Sequence, residues 1–185
     1  MIIFMGVAGS GKSSQGKKLA DELGYPWVST GEFLRMLISG DRRKDMVAGK
    51  LLEDKEIIAL MRKIFTIIDT EQKLVLDGFP RTSAQADWLL SQVKHGQLHI
   101  TSVVHLVATK DAVRKRLLER GRQDDTEEAI TERFNEYETS IKPILQHFKE
   151  AKIKVYDING EQAPHKVHKD ILAAIHNDNL ESKHP

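Results

Sequence analysis

The chain opens on an unbroken apolar run, Met1-Ile2-Ile3-Phe4-Met5, which predicts a strand buried on both faces. Ser14 to Leu23 has the spacing of an amphipathic helix, and Pro26 to Ser29 reads as a short extended piece. Phe33, Leu34, Leu37 and Ile38 then recur at helical intervals and predict a helix opening near Thr30 and Gly31. A polar, charged break from Gly40 to Gly49 precedes a second helical segment, Asp54 to Ile68. Lys73 to Asp77, Ile100 to Ala108 and Lys152 to Ile158 read as further strands, the first ending in a carboxylate. Thr109 or Asp111 starts a helix through Val113, Leu117 and Leu118. Asp125 is the expected cap of the next, with Glu128 in the capping-box position. That helix is expected to continue past Tyr137 until Pro143 kinks or divides it. Asn177 to Pro185 reads as a polar tail. Strands separated by helices of this length favour an α/β fold: a central parallel sheet flanked by helices, with ligands outside the carboxyl ends of the strands.

Composition narrows the partners. A length of 185 residues suits one compact domain. Lysine and arginine number 28 against 27 acidic residues, so a formal charge of +1 gives no general attraction to nucleic acid or to a membrane surface. Recognition of an anion must therefore be local. There is no cysteine, which excludes disulfides and cysteine-held zinc and fits a reducing compartment such as the cytoplasm. No apolar stretch has the length of a membrane span, and no export signal is visible. A monomer is the simpler expectation, as no coiled coil or repeat occurs.

Local recognition is supplied directly after the first strand. Gly6-Val7-Ala8-Gly9-Ser10-Gly11-Lys12-Ser13 fills the pattern G-x-x-x-x-G-K-[ST] between a strand and a helix. Glycines let successive backbone N–H groups turn toward phosphate oxygens, and the helix adds its free N-terminal donors. Lys12 brings a mobile ammonium for the β and γ phosphates, and the Ser13 hydroxyl suits Mg2+. Two further segments carry acceptor chemistry. Thr30-Gly31-Glu32-Phe33-Leu34-Arg35 sets a hydroxyl at a strand-to-helix transition and a guanidinium about one turn later. Asp77-Gly78-Phe79-Pro80-Arg81-Thr82 ends a strand in a carboxylate and places beyond it an arginine able to grip a phosphate bidentately. Gln85 follows and is suited to reading a base edge or an amide. Arg120, Arg122 and Arg133 complete a cage for the charge that develops on a transferring phosphoryl group, with Asp124 and Asp125 holding neighbouring guanidiniums. Arg114 and Arg116 read instead as a solvated helix surface.

In order and spacing these motifs resemble the adenylate kinase family of nucleoside monophosphate kinases over roughly Met1 to Ile175. The matched residues are Gly6 to Ser14 with Gln15, Ser29 to Glu32 with Arg35, Gly49 to Leu52, Asp77 to Thr82 with Gln85, and Gly121 to Asp125 with Arg133. The resemblance implies a P-loop fold and Mg2+-dependent, reversible transfer of the ATP γ-phosphoryl group to a nucleoside monophosphate, classically AMP. It also implies one kinase domain over 1–176, with a monophosphate-binding segment at 30–68 and a short lid at 120–125. By the same resemblance Gly9, Ser10, Gly11, Lys12, Ser13, Ser14, Arg120 and Gln162 face ATP. Thr30, Gly31, Arg35, Lys50, Leu51, Leu52, Gly78, Phe79, Pro80, Arg81 and Gln85 line the monophosphate pocket. Arg122 and Arg133 contact the acceptor phosphate and the transferring oxygens. The catalytic set is then Lys12, Arg81, Arg120, Arg122 and Arg133, and Ser13 and Asp77 serve Mg2+, Asp77 through water. Ala8 stands where the family usually has proline, Ser13-Ser14 replaces a common Gly-Thr pair, and the lid is a stub shorter than the family's short form. CMP, UMP and dAMP remain open as acceptors, as does a non-catalytic nucleotide-binding regulator. His95, His99 and His105 are expected as strand or surface histidines without zinc, Trp27 and Trp88 as packing residues, and Leu37 and Met61 as core or as walls beside the base.

Overall fold

The computed structural model describes residues 1–40, 53–68, 73–123 and 125–181. Five parallel strands form one sheet: β1 (Ile2–Met5), β2 (Trp27–Ser29), β3 (Val75–Asp77), β4 (Ser102–Val107) and β5 (Val155–Asn159), in the order β2-β3-β1-β4-β5. The helices are α1 (Lys12–Leu23), α2 (Thr30–Leu37), α3 (Asp54–Ile67), α4 (Ser83–Lys94), α5 (Lys110–Arg120), α6 (Glu127–Glu136), α7 (Lys142–Glu150) and α8 (Pro164–Glu181), with a π-helical turn at Tyr137–Ile141. The last helix thus enters the stretch expected to be a tail.

The continuous apolar opening run has a simple cause. Ile3 and Met5 point into one core with Leu76, Val103 and Phe148, while Ile2 and Phe4 point into another with Leu19, Val75, Val104 and Ile171. Alternate side chains of a strand face opposite ways, so a sheet covered on both sides demands apolar residues at every position. Phe4 is buried almost completely, and its truncation to alanine would cost about 3–5 kcal/mol.

The strand order also positions the site. From β1 the chain crosses to β2 and β3 on one side and later to β4 and β5 on the other, so β1 and β4 flank the point where the winding reverses. A crevice opens at such a point beyond the carboxyl ends of the strands. The loops that leave β1, β3 and β5 all reach it.

The helix does continue past Tyr137, since α6, the π turn and α7 follow one another with helical backbone throughout, and Pro143 in the first turn of α7 has no N–H to give the turn before it. The interruption expected there falls at the preceding π turn. Thr126, rather than Asp125, caps α6, accepting from the Ala129 N–H at 3.2 Å. Asp125 is withdrawn from capping by arginines.

Candidate active site

The phosphate loop joins β1 to α1. Gly11 takes a left-handed conformation at the helix N-cap, and the Ser10 N–H donates to the Val7 carbonyl at 3.2 Å. Gly9 has φ +86°, and a Cβ there would stand 2.9 Å from Leu117 Cγ, so both its backbone and its packing require glycine. Lys12 is half-buried, and its Nζ donates to the Val7 carbonyl at 2.8 Å. Burial pushes its pKa down to about 8; Asp77 opposes that shift, Arg81 adds to it, Glu136 opposes it and Arg120 adds to it. A nearby phosphate would reverse the balance. Ser13 Oγ donates to Asp77 Oδ2 at 2.6 Å, and Ser29 Oγ donates to the same oxygen at 3.2 Å. Asp77 is 2% exposed. Its second oxygen, Oδ1, is buried with no hydrogen-bond donor among the described residues.

The opposite wall comes from α2, α3 and the turn after β3. Thr30 Oγ1 donates to the Gly78 carbonyl at 2.7 Å, which ties the start of α2 to that turn. Gly78 has φ +81°, and a Cβ there would sit 2.8 Å from Thr30 Oγ1. Arg81 Nε donates to the Gly78 carbonyl at 3.0 Å, fixing the root of its guanidinium. Gln85 lies on the wall but is 2% exposed and doubly held: Oε1 accepts from the Arg81 N–H at 2.9 Å, and Nε2 donates to Asp54 Oδ1 at 2.8 Å. Lys50, Leu51 and Leu52 lie outside the described residues.

The arginine cluster closes the third side. The carboxylate of Asp125, fully buried, accepts from Arg120 Nε at 2.8 Å and Nη2 at 2.5 Å, and from Arg133 Nη1 at 3.2 Å. It also accepts from the Arg122 backbone N–H at 3.1 Å. Burial works against ionisation of Asp125, yet the Arg120 bonds, the Arg122 N–H, the Arg120 charge and the Arg133 bond together hold its pKa below the ordinary value. Arg120 and Arg133, 13 positions apart in the chain, are thereby brought to one carboxylate. Asp124 lies outside the described residues.

These three walls enclose one cavity of about 570 Å³. The predicted residues Gly9, Ser10, Gly11, Lys12, Ser13, Ser14, Thr30, Gly31, Arg35, Asp77, Gly78, Arg81, Gln85, Arg120, Arg122, Arg133 and Gln162 all border it. Phe79 and Pro80 do not. They turn behind the wall, where Phe79 is buried and meets Trp88 edge-on with ring centres 5.9 Å apart. Gln162 is engaged by the Asn159 carbonyl at 3.2 Å and Asp170 at 2.8 Å.

Arg116 corrects the reading of a solvated helix surface. It borders the cavity and donates from Nη1 to the Gly160 carbonyl at 2.9 Å, because α5 presents this position toward the loop after β5. Its place in the helix, next to Leu117, held no sign of that partner. Arg114 does lie on the surface, paired with Glu127. Leu37, expected in the core or beside the base, is 65% exposed at the end of α2, whereas Met61 is fully buried. Trp88 stacks on Phe65 with ring centres 6.2 Å apart. His105 is buried on β4, with Nδ1 2.6 Å from Asp157 and Nε2 2.9 Å from the Tyr137 hydroxyl. Burial moves its pKa below the usual histidine value, against the pull of Asp157. Among the described residues no group of three or more His, Cys, Asp or Glu side chains forms a metal cluster, and no helix is long and apolar enough to cross a membrane.

The adenylate kinase family model matches residues 4–153. Adenylate kinase 1 of Nostoc sp. is 33% identical over 180 residues, covering 94% of this chain and 97% of its own length. An adenylate kinase of Leptospira biflexa is 34% identical over 184 residues, covering 94% of this chain and 98% of its own. One from Archaeoglobus fulgidus is 28% identical over 211 residues, covering 94% and 97% respectively.

Proposed function

Because this chain belongs to the adenylate kinase family and is on that ground a nucleotide phosphotransferase, we propose that it catalyses Mg2+-dependent, reversible transfer of the ATP γ-phosphoryl group to AMP, giving ADP from both. The observation that carries the reading is the facing of a phosphate loop and five arginines, Arg35, Arg81, Arg120, Arg122 and Arg133, across a single cavity. A binder of one nucleotide has no use for guanidiniums on both sides of the transferring group. Phosphoryl transfer does, because its negative charge spreads over several oxygens while attacking and leaving oxygens stay in line.

The roles follow from position. Backbone N–H groups of Gly9 to Ser14 hold the donor phosphates at the N-terminus of α1. Lys12 exchanges its bond to the Val7 carbonyl for phosphate oxygens. Arg35 and Arg81 hold the acceptor phosphate against that γ-phosphoryl group, with its attacking oxygen in line. Arg120, Arg122 and Arg133 spread positive charge over the oxygens in flight. Ser13 and Asp77 offer hard oxygen atoms of the kind Mg2+ selects, and the unpartnered Oδ1 of Asp77 suits a metal-bound water. When bound, the ion would neutralise charge on the β and γ phosphates. The acceptor phosphate is already a nucleophile, so no side chain needs to form a phosphoenzyme. The reading extends to a monomer acting in the cytoplasm.

Initial rates with Mg-ATP and AMP, dAMP, CMP, UMP or GMP at matched concentrations, beside a control without acceptor, test it. ADP formation that depends on AMP supports the proposal. Preference for another monophosphate keeps the mechanism and changes the substrate. ATP binding without turnover of any acceptor overturns both.

A further inference from the structure

Gln85 has two ways to sit in its slot, related by a half-turn of the amide that exchanges oxygen and nitrogen. Its neighbours accept one of them. The Arg81 main-chain N–H is a donor and meets Oε1 at 2.9 Å; the Asp54 carboxylate is an acceptor and meets Nε2 at 2.8 Å. Turning the amide over would set Nε2 against an N–H and Oε1 against a carboxylate, which satisfies neither. Asp54 is itself fixed, for the Thr82 hydroxyl donates to the same Oδ1 at 2.7 Å while capping α4 by accepting from the Gln85 N–H at 3.3 Å. The first residue of α3 is thus linked to the first turn of α4, 31 positions later in the chain.

We infer that Asp54 is a specificity-determining residue, which locks the direction of the Gln85 amide and so selects the hydrogen-bonding sense of the acceptor base. The inference rests on the proposal that Gln85 faces the base of a nucleoside monophosphate. A primary amide has two protons and two lone pairs. With one of each engaged by the protein, Gln85 keeps one proton on Nε2 and one lone pair on Oε1. That pair matches a base edge with a ring-nitrogen acceptor beside an amino donor, which is the edge of adenine and also of cytosine. Hypoxanthine and uracil present the reverse, a ring N–H beside a carbonyl, and would need the amide turned over. The lock therefore separates AMP from IMP and is indifferent between AMP and CMP, whose discrimination falls to the size of the slot. Rejection of the wrong sense is by unpaired polar groups, a stronger device than a fitted apolar wall.

Asp54→Asn is the variant of choice. Its side chain has nearly the same shape, yet it can accept from Nε2 in the present sense or donate to Oε1 in the reversed one. One of two oppositions to reversal is removed, and the Arg81 N–H keeps the other. The ratio of kcat/KM for AMP to that for IMP should then fall about tenfold, a part of the large discrimination that a committed hydrogen-bonding site gives. The AMP-to-CMP ratio should stay within about twofold, because both bases need the same sense. Asp54→Ala, which leaves Nε2 without its acceptor, should shift the AMP-to-IMP ratio in the same direction. Each ratio is taken within one preparation, so a loss of folded protein cancels, and a melting curve reports that loss separately. An AMP-to-IMP ratio unchanged in both variants, or an AMP-to-CMP ratio that falls by the same factor, overturns the inference and leaves Asp54 a structural link. A wild-type enzyme that uses AMP no better than IMP overturns the adenylate reading itself, and the inference with it.

Discussion

The two sides of the cavity, which we propose receive donor and acceptor, hold phosphate-seeking groups by different means. On the donor side, Gly9 to Ser14 are contiguous, and most of what they offer is backbone: N–H groups turned inward by glycine conformations and by the start of α1. On the acceptor side the groups are side chains from separate segments, Thr30 and Arg35 on α2, Asp54 on α3, and Arg81 and Gln85 around the start of α4. They are held by hydrogen bonds between those segments. A backbone cradle tolerates variation in its side chains, such as Ala8 and Ser13-Ser14, because its donors are main-chain N–H groups. A side-chain network depends on each donor meeting an acceptor, so single substitutions should propagate along it.

Lys12 is the exception on the donor side, and its loss is the most severe test of the contrast. Lys12→Ala should lower kcat for AMP-dependent ADP formation by about 10³-fold or more, since it removes a positive charge from the transferring group. A loss under tenfold would mean that the backbone cradle alone suffices. Arg81→Ala should lower kcat/KM for AMP by roughly 10²- to 10³-fold while the Kd for Mg-ATP measured by calorimetry changes less than about threefold. Equal damage to both nucleotides would erase the division between the two sides.

Asp125 sharpens the comparison from the third wall. Asp125→Ala should destabilise the fold by about 3 kcal/mol, since it removes the fully buried carboxylate that Arg120 and Arg133 share. Denaturant unfolding reads this directly. The pKa of Asp125 is depressed in the fold, so its contribution is present above the usual aspartate value and is lost as pH falls through the lowered one. In the wild type, acid should therefore weaken the protein at low pH, and the variant should lose that part of the pH dependence.

The smallest effect is a proton. Lys12, at about 8 in the free protein, gains affinity for its proton when phosphates arrive. ATP binding near pH 8 should take up roughly half a proton, seen as a calorimetric enthalpy that varies with the ionisation heat of the buffer. Affinity for ATP should decline as pH rises through that value. The uptake should vanish in Lys12→Met.

Much of the architecture was legible along the chain because its causes are local. An apolar run such as Met1 to Met5 must be covered on both faces, the spacing of Phe33, Leu34, Leu37 and Ile38 suits a helix, and the phosphate loop is a matter of glycine conformations and one following helix. Element ends were less so. Asp125 and Thr126 are both good caps, and the choice between them was made by Arg120, Arg122 and Arg133 competing for the carboxylate. Arg116 and Leu37 illustrate the same limit in opposite directions. Helical spacing says that two residues share a face, but the fold decides whether that face meets a cavity or water.

By itself, then, the sequence determined the parallel α/β class, the donor loop and the residue types available for phosphate chemistry, because backbone conformation and apolar burial are read over a few neighbouring positions. Tertiary structure alone decided who partners whom: Ser13 and Ser29 with Asp77, Arg116 with the Gly160 carbonyl, and Gln85 with Asp54. A hydrogen bond needs a donor and an acceptor within about 3 Å in a set direction, and for residues this far apart in the chain only the packing of the sheet and its helices supplies that distance.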